Sequence, residues 1–163
     1  MEPIIIGLGG NIGSEVAITA RFQRVRDALA ELGELRAAPL YRSAPIGPAQ
    51  DPYLNSALWL RVDLEPVALL AVMQELEHLL GRDRDREVRW GPRLIDLDLL
   101  VWGQRVIRTP ELVVPHPHLA ERRFALAPLV DLVGEMVIPG IGPARAALAR
   151  VADQPVEQIA QRW

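Results

Sequence analysis

Tyr53-Leu54-Asn55-Ser56-Ala57-Leu58-Trp59-Leu60-Arg61-Val62-Asp63-Leu64 alternates along its length, with Leu54, Ser56, Leu58, Leu60 and Val62 on one face and Tyr53, Asn55, Ala57, Trp59, Arg61 and Asp63 on the other. A period of two is the pattern of a strand, whose successive side chains point to opposite faces of a sheet. Toward the C-terminus, Pro66 suits the first turn of a helix, Val67, Leu70, Met73, Leu76 and Leu80 follow its 3.6-residue period, and Gly81 stops it. An arginine-rich loop leads into another strand over 93–102, and Gly103-Gln104 is placed as a hairpin turn into 105–107. Toward the N-terminus, three prolines and a glycine make 44–52 a conformationally restricted loop. Before it we expect a strand over 35–43. A helix starts near Ser14 or Glu15, carries Ile18, Phe22, Val25, Leu29 and Leu32 in one stripe, and ends at Gly33. A short buried strand over 3–8 opens the chain.

The order is therefore βαββαβ, which predicts an α+β fold with a ferredoxin-like core: an antiparallel sheet with helices on one face, leaving the other face or its loops for ligands. A C-terminal hairpin, a proline-punctuated stretch over 109–118, a helix over 121–133 and short helices near 143–151 and 155–161 are expected to decorate it. No repeat or domain boundary interrupts the sequence, so 1–163 reads as one domain.

The 163 residues, 50% hydrophobic and 24% charged, suffice for a sizeable core. All eighteen basic residues are arginine, so any cationic phosphate recognition must use the planar guanidinium fork rather than a P-loop lysine. A net charge of −3 argues against a nucleic-acid binder. The absence of cysteine excludes disulfides, thiolate catalysis and cysteine-ligated zinc and fits a cytoplasmic protein. No signal peptide or membrane span is expected. No exposed apolar stripe stands out, and the expectation is a monomer.

Asp96 and Asp98 lie two apart in an apolar strand and so share one face, separated by roughly 6.5–7 Å along it. Two buried carboxylates need compensation, and Mg²⁺ is commonly held by one or two carboxylates together with substrate phosphates. Just upstream, Arg82, Arg84, Arg86, Arg89 and Arg93 place five of the eighteen arginines in twelve residues. Asp83, Asp85 and Glu87 alternate with them, as in a solvated charged loop, yet arginine beside a metal-binding pair suits bidentate phosphate recognition. By themselves these features serve a phosphotransferase, a nucleotidyltransferase or a metal-dependent phosphohydrolase equally.

His116-Pro117-His118 lacks an evident third zinc ligand, so His116 suits a phosphate contact better. Gly7-x-Gly9-Gly10-x-x-Gly13 has the spacing of a dinucleotide fingerprint but not its all-parallel context. Tyr53, Trp90 and Phe124 sit beside polar or rigid segments where they could border one slot for a flat heterocycle, with Asn55 offering an amide donor and acceptor.

Taken in order, several motifs resemble the 6-hydroxymethyl-7,8-dihydropterin pyrophosphokinase family of folate biosynthesis. They are Leu8-Gly9-Gly10-Asn11, Tyr41-Arg42-Ser43-Ala44-Pro45-Ile46-Gly47, Tyr53-Leu54-Asn55, Gln74-x-x-Glu77-x-x-x-Gly81-Arg82, Arg89-Trp90-Gly91-Pro92-Arg93-x-x-Asp96-x-Asp98, and Val114-Pro115-His116-Pro117-His118 with Arg122-Arg123-Phe124. The resemblance implies transfer of pyrophosphate from ATP to the pterin hydroxymethyl group, with AMP leaving. It implies two Mg²⁺ ions on Asp96 and Asp98, and Arg82 and Arg93 beside them in the catalytic set. It implies ATP contacts by Gln74, Glu77, Arg82, Arg84, Trp90, Arg93, His116 and Arg122. It implies pterin contacts by Ser43, Pro45, Ile46, Tyr53, Asn55 and Phe124. A different two-metal phosphotransferase or phosphohydrolase would need the aspartates but not the aromatic slot. A non-catalytic ferredoxin-like module would need neither.

Overall fold

The computed structural model describes residues 1–163, in the order β1 (Ile4–Gly10), α1 (Glu15–Ala30), β2 (Gly33–Ala37), β3 (Leu40–Ser43), β4 (Tyr53–Val62), α2 (Pro66–Leu79), β5 (Asp96–Trp102), β6 (Ile107–Arg108), β7 (Val113–Val114), α3 (Arg123–Val133), β8 (Val137–Ile138), β9 (Gly142–Pro143), α4 (Ala144–Ala149) and β10 (Val156–Ala160). The main sheet runs β10-β3-β4-β1-β5, with β2 also on β4, and every pairing in it is antiparallel. This contains the expected ferredoxin-like βαββαβ core. β1 takes an inner place because six of its seven residues are buried.

Alternation along the strands sorts the core into two layers. Ile4, Ile6 and Leu8 of β1, Leu54, Leu58 and Leu60 of β4, and Leu97 and Leu99 of β5 pack under α1 and α2. α1 starts where Ser14 accepts the Ala17 N–H (3.1 Å), and it buries Ile18, Phe22, Val25 and Leu29. The opposite sheet face is not left open as expected. It carries Ile5, Ala57, Trp59 and Leu100, which cannot be left in water, and α3 and α4 cover them with Leu126, Leu129, Ala144 and Ala147. A bulge between Ile5 and Ile6 in the β1–β5 ladder puts both Leu100 and Val101 into this second layer.

Several sequence expectations shift. The strand predicted over 35–43 is two strands, because Pro39 lacks an N–H and the ladder breaks at Ala38-Pro39. Segment 155–161 is a strand rather than a helix, since β10 completes the free edge of β3 and carries β-branched Val156 and Ile159. The turn after β5 forms, with Arg105 N–H donating to Trp102 O (2.9 Å), but the chain then leaves the sheet and β6 pairs with β7. β5 starts at Asp96, not at 93. α2 is rotated relative to the expected stripe: Met73 is buried as expected, together with Pro66, Leu69 and Glu77, while Leu70, Leu76 and Leu80 are partly buried against the core and Val67 faces solvent. No helix is long and apolar enough to cross a membrane.

Candidate active site

The floor of the site is set by register. Gly9 lies between Asn55 and Asp96, and Gly7 lies between Ala57 and Asp98, on the face toward α3. A Cβ at Gly9 would come within 3.4 Å of Asn55 Nδ2, and one at Gly7 within 3.2 Å of Leu100 Cδ1. The two glycines therefore hold open a cleft of about 320 Å³ between the side chains of the flanking strands, roofed by the start of α3 and by the loops over 44–52 and 84–93.

One half of the cleft suits a flat polar ring. Tyr53 and Phe124 both line it, and Asn55, though 3% exposed, presents its amide there. Ser43 Oγ donates to Asn55 Oδ1 (2.5 Å), which fixes the amide so that its NH₂ faces the glycine floor. Tyr53 OH donates to Gly91 O (2.6 Å), and burial raises its pKa against the opposing charge of Arg93. The Arg122 guanidinium lies 5.6 Å from both the Trp90 and the Phe124 ring centroids, within cation–π range.

Trp90 adopts a left-handed φ of +65°, uncommon for a bulky residue, and its surroundings over-determine it. Gln50 Nε2 donates to Trp90 O (2.7 Å), and a Cβ at Gly47 would lie 2.6 Å from Trp90 Cβ. Asn11, 3% exposed, ties the loops to the sheet: its Nδ2 donates to Gln50 Oε1 and Asp51 O (both 2.9 Å), and its Oδ1 accepts the Arg93 N–H (2.8 Å).

The other half is a dense ion network. Arg82 donates to Asp96 Oδ1 (3.0 Å), to Glu77, and through Nε and Nη2 to both oxygens of Glu87 (2.8 and 3.0 Å). Burial opposes its charge, but the Glu87 hydrogen bond and the nearby Asp96 and Glu77 outweigh that and raise its pKa. Glu77, 2% exposed, also accepts the Leu97 N–H (3.0 Å) and Arg84 Nη2 (2.8 Å), so it anchors the start of β5. Arg93 pairs with Glu87 (3.3 Å) and donates to the carbonyls of Val88, Gly91 and Pro92.

Asp98 sits deep in the cleft with about a third of its side chain open to it. Burial, with the negative Asp96 adding to it and Arg122 opposing, raises its pKa from 3.8 to about 7. His116 Nε2 lies 3.7 Å from Asp98 Oδ1. Burial and then the Arg122 charge depress the imidazole to about 4, so it is neutral at pH 7. Because Nδ1 accepts the His118 N–H (3.1 Å), the ring proton belongs on Nε2, facing Asp98. Asp96 and Asp98 offer hard oxygen ligands to one cleft. No cluster of three or more His, Cys, Asp or Glu forms a cage by itself. A donor set of two carboxylates fits Mg²⁺ completed by phosphate oxygens and water.

Ser43, Ile46, Tyr53, Asn55, Trp90, Arg93, Asp96, Asp98, Arg122 and Phe124 thus line one cleft, with Arg82 on Asp96, His116 near Asp98, and Glu77 reaching Asp96 only through Arg82. Arg84 reaches it through Glu77 and is largely exposed. Gln74 is exposed on α2 and makes no side-chain hydrogen bond in this arrangement. Pro45 does not line the cleft, whereas Ala44 and Ile46 on either side do. The structure adds Gly7, Gly9, Asn11, Gln50, Glu87 and His118. The glycine-asparagine motif at the end of β1 and the His116-Pro117-His118 motif signalled Gly7, Gly9, Asn11 and His118 in the sequence, and nothing there distinguished Glu87 from its charged neighbours.

Residues 5–134 match the family model described as 7,8-dihydro-6-hydroxymethylpterin-pyrophosphokinase. The chain is 38% identical over 143 residues to the 2-amino-4-hydroxy-6-hydroxymethyldihydropteridine pyrophosphokinase of Pseudomonas aeruginosa, a match covering 85% of each. It is 38% identical over 128 residues to the protein of the same name from Bacillus subtilis, covering 78% of this chain and 75% of that one. Among solved structures it resembles the Plasmodium falciparum HPPK-DHPS wild type with pteroate, at a TM-score of 0.71 and 13% identity, a likeness of fold. That match covers 93% of this chain and 42% of the other, so the chain spans under half that structure's length.

Proposed function

We propose a reaction from one premise: the chain belongs to the 7,8-dihydro-6-hydroxymethylpterin-pyrophosphokinase family. It transfers a diphosphate from ATP to the hydroxymethyl oxygen of 6-hydroxymethyl-7,8-dihydropterin, giving the pterin diphosphate and AMP, a step of folate synthesis. The observation that carries the reading is that the Tyr53–Asn55–Phe124 slot and the Asp96–Asp98 pair open into one cleft, so a ring and a polyphosphate fit side by side.

The acceptor oxygen forms a bond to the β-phosphorus of ATP as the bond from that phosphorus to the α,β-bridging oxygen breaks. The hydroxyl proton leaves, and AMP departs with the electron pair. Tyr53 and Phe124 stack the pterin, and Asn55, oriented by Ser43, hydrogen-bonds its edge while Ala44 and Ile46 wall that end, with Pro45 stiffening the chain between them. This holds the hydroxymethyl group in line with the phosphorus, and positioning of this kind supplies much of the rate of a phosphoryl-type transfer. Asp96 and Asp98 would hold Mg²⁺, two ions in this reading, which when bound neutralises charge on the triphosphate. Arg82 and Arg93 add fixed positive charge where negative charge builds on the transferred group and on AMP. Arg84, Arg122, Gln74 and neutral His116 take the rest of the nucleotide, with Glu77 holding Arg82 in place, and Trp90 closes over the pair. In this reading residues 1–163 act as one catalytic domain and as a monomer.

Incubating the protein with ATP, Mg²⁺ and 6-hydroxymethyl-7,8-dihydropterin and resolving the nucleotides tests this. AMP appearing only when the pterin is present is the expected result. ADP would indicate single-phosphoryl transfer, and phosphate release without the pterin would indicate a phosphohydrolase. Either refutes the reading.

A further inference from the structure

We propose that Glu87 is a phosphate surrogate: its carboxylate fills the guanidinium fork of Arg82 and pairs with Arg93 until the nucleotide's phosphates displace it, and it thereby sets nucleotide affinity. The proposal rests on the reading that these two arginines bind phosphate.

The geometry is that of a bound oxyanion. Arg82 Nε and Nη2 each donate to a different Glu87 oxygen, at 2.8 and 3.0 Å, the parallel two-bond fork by which arginine grips carboxylates and phosphates alike. Arg93 Nε lies 3.3 Å from Glu87 Oε1. The contact is largely dry, with side-chain exposures of 7% for Arg82 and 15% for both Glu87 and Arg93, so none of these charges is free for a newcomer until one partner leaves.

Arg82 has three carboxylate partners, and only one can leave cheaply. Glu77 is fixed on α2 and holds the Leu97 N–H, and Asp96 is fixed in β5. Glu87 sits in the loop, just after the 3-10 turn Arg84–Arg86. A phosphate entering the fork would meet Glu87 as a like charge at hydrogen-bond range, which drives the carboxylate out. Departure does not stay local. Arg93 Nη1 also donates to the carbonyls of Val88 (3.0 Å) and Gly91 (3.2 Å), on either side of Arg89 and Trp90, so exchange of Glu87 for phosphate reaches the segment that carries Trp90. Glu87 is thus a positioning residue: it aligns both arginines, and nucleotide binding must work against its contacts.

The test uses the full chain with Glu87→Gln, Glu87→Asp and Arg82→Ala. Titration calorimetry with Mg²⁺ and α,β-methylene-ATP measures binding, steady-state kinetics gives KM and kcat separately, and hydrogen exchange follows 84–92. Glu87→Gln is expected to bind the analogue about tenfold tighter, near the low end of what a charge-assisted hydrogen bond is worth. KM for ATP should fall without a rise in kcat, exchange over 84–92 should quicken in the free protein, and Glu87→Asp should return affinity toward wild type. Arg82→Ala should bind more weakly. Unchanged or weaker binding by Glu87→Gln, with Arg82→Ala weakened, overturns the surrogate while leaving the phosphate reading intact. Wild-type binding by Arg82→Ala overturns the phosphate reading and the surrogate with it.

Discussion

Asp98→Asn separates what this carboxylate costs the fold from what it contributes to chemistry. Burial and the neighbouring Asp96 lift its pKa from 3.8 to about 7, so the folded state holds the proton more tightly than the unfolded chain does. The charged form is therefore penalised in the fold. The penalty is absent below about pH 4, grows through the interval up to 7, and is complete above it. At full strength that gap corresponds to about 4 kcal/mol. Because 36% of the side chain is open to the cleft, solvent screening reduces it to about 1–2 kcal/mol. Asparagine keeps the shape without the charge. In EDTA at pH 8 the variant should be more stable than wild type by that amount, raising Tm by about 3–6 °C, with the gain fading to nothing near pH 4. Its diphosphotransferase activity should be lost. Thermal and urea denaturation across pH 4–8 measures the first, and AMP formation the second. A variant less stable at pH 8, or one whose gain does not vary with pH, would refute the assignment of a burial penalty to Asp98.

Glu77→Leu should destabilise the protein by about 2 kcal/mol, since it leaves the buried Leu97 N–H without its acceptor and takes one of three carboxylates from Arg82, which keeps Asp96 and Glu87, and urea denaturation measures this; an unchanged urea midpoint would contradict the anchoring role of Glu77. Gly47→Ala puts a Cβ 2.6 Å from that of Trp90 at a φ of +100°. It should lower kcat/KM for the pterin at least tenfold while the urea midpoint moves little, and wild-type kcat/KM would contradict the placement of Trp90 against that loop.

Much of this site was legible because a strand's period of two is unambiguous. Asp96 with Asp98, and Tyr53 with Asn55, could be put on shared faces from spacing alone, and Ile18, Phe22, Val25 and Leu29 do form the buried stripe of α1, although that helix ends at Ala30 and Gly33, expected as its stop, opens β2. What escaped depends on distant partners. Segment 155–161 is a strand only because β3 offers it an open edge. α2 carries apolar residues on more than one side, so the stripe its period suggests leaves out Leu69 and Glu77, both of which are buried. Glu87 sits in a run of alternating charges, and only the folded loop shows that it meets Arg82 and Arg93 while Arg86 and Asp83 pair at the surface.

The central claim is that the β- and γ-phosphates of ATP move together onto the acceptor hydroxyl. ATP labelled with ³²P at the β-position, incubated with the protein, Mg²⁺ and 6-hydroxymethyl-7,8-dihydropterin, tests it directly. The label should appear in the pterin product, in equal amount to the label from a parallel γ-labelled reaction, with unlabelled AMP formed alongside. Pterin labelled only from the γ-position, with the β-label retained in ADP, would contradict it.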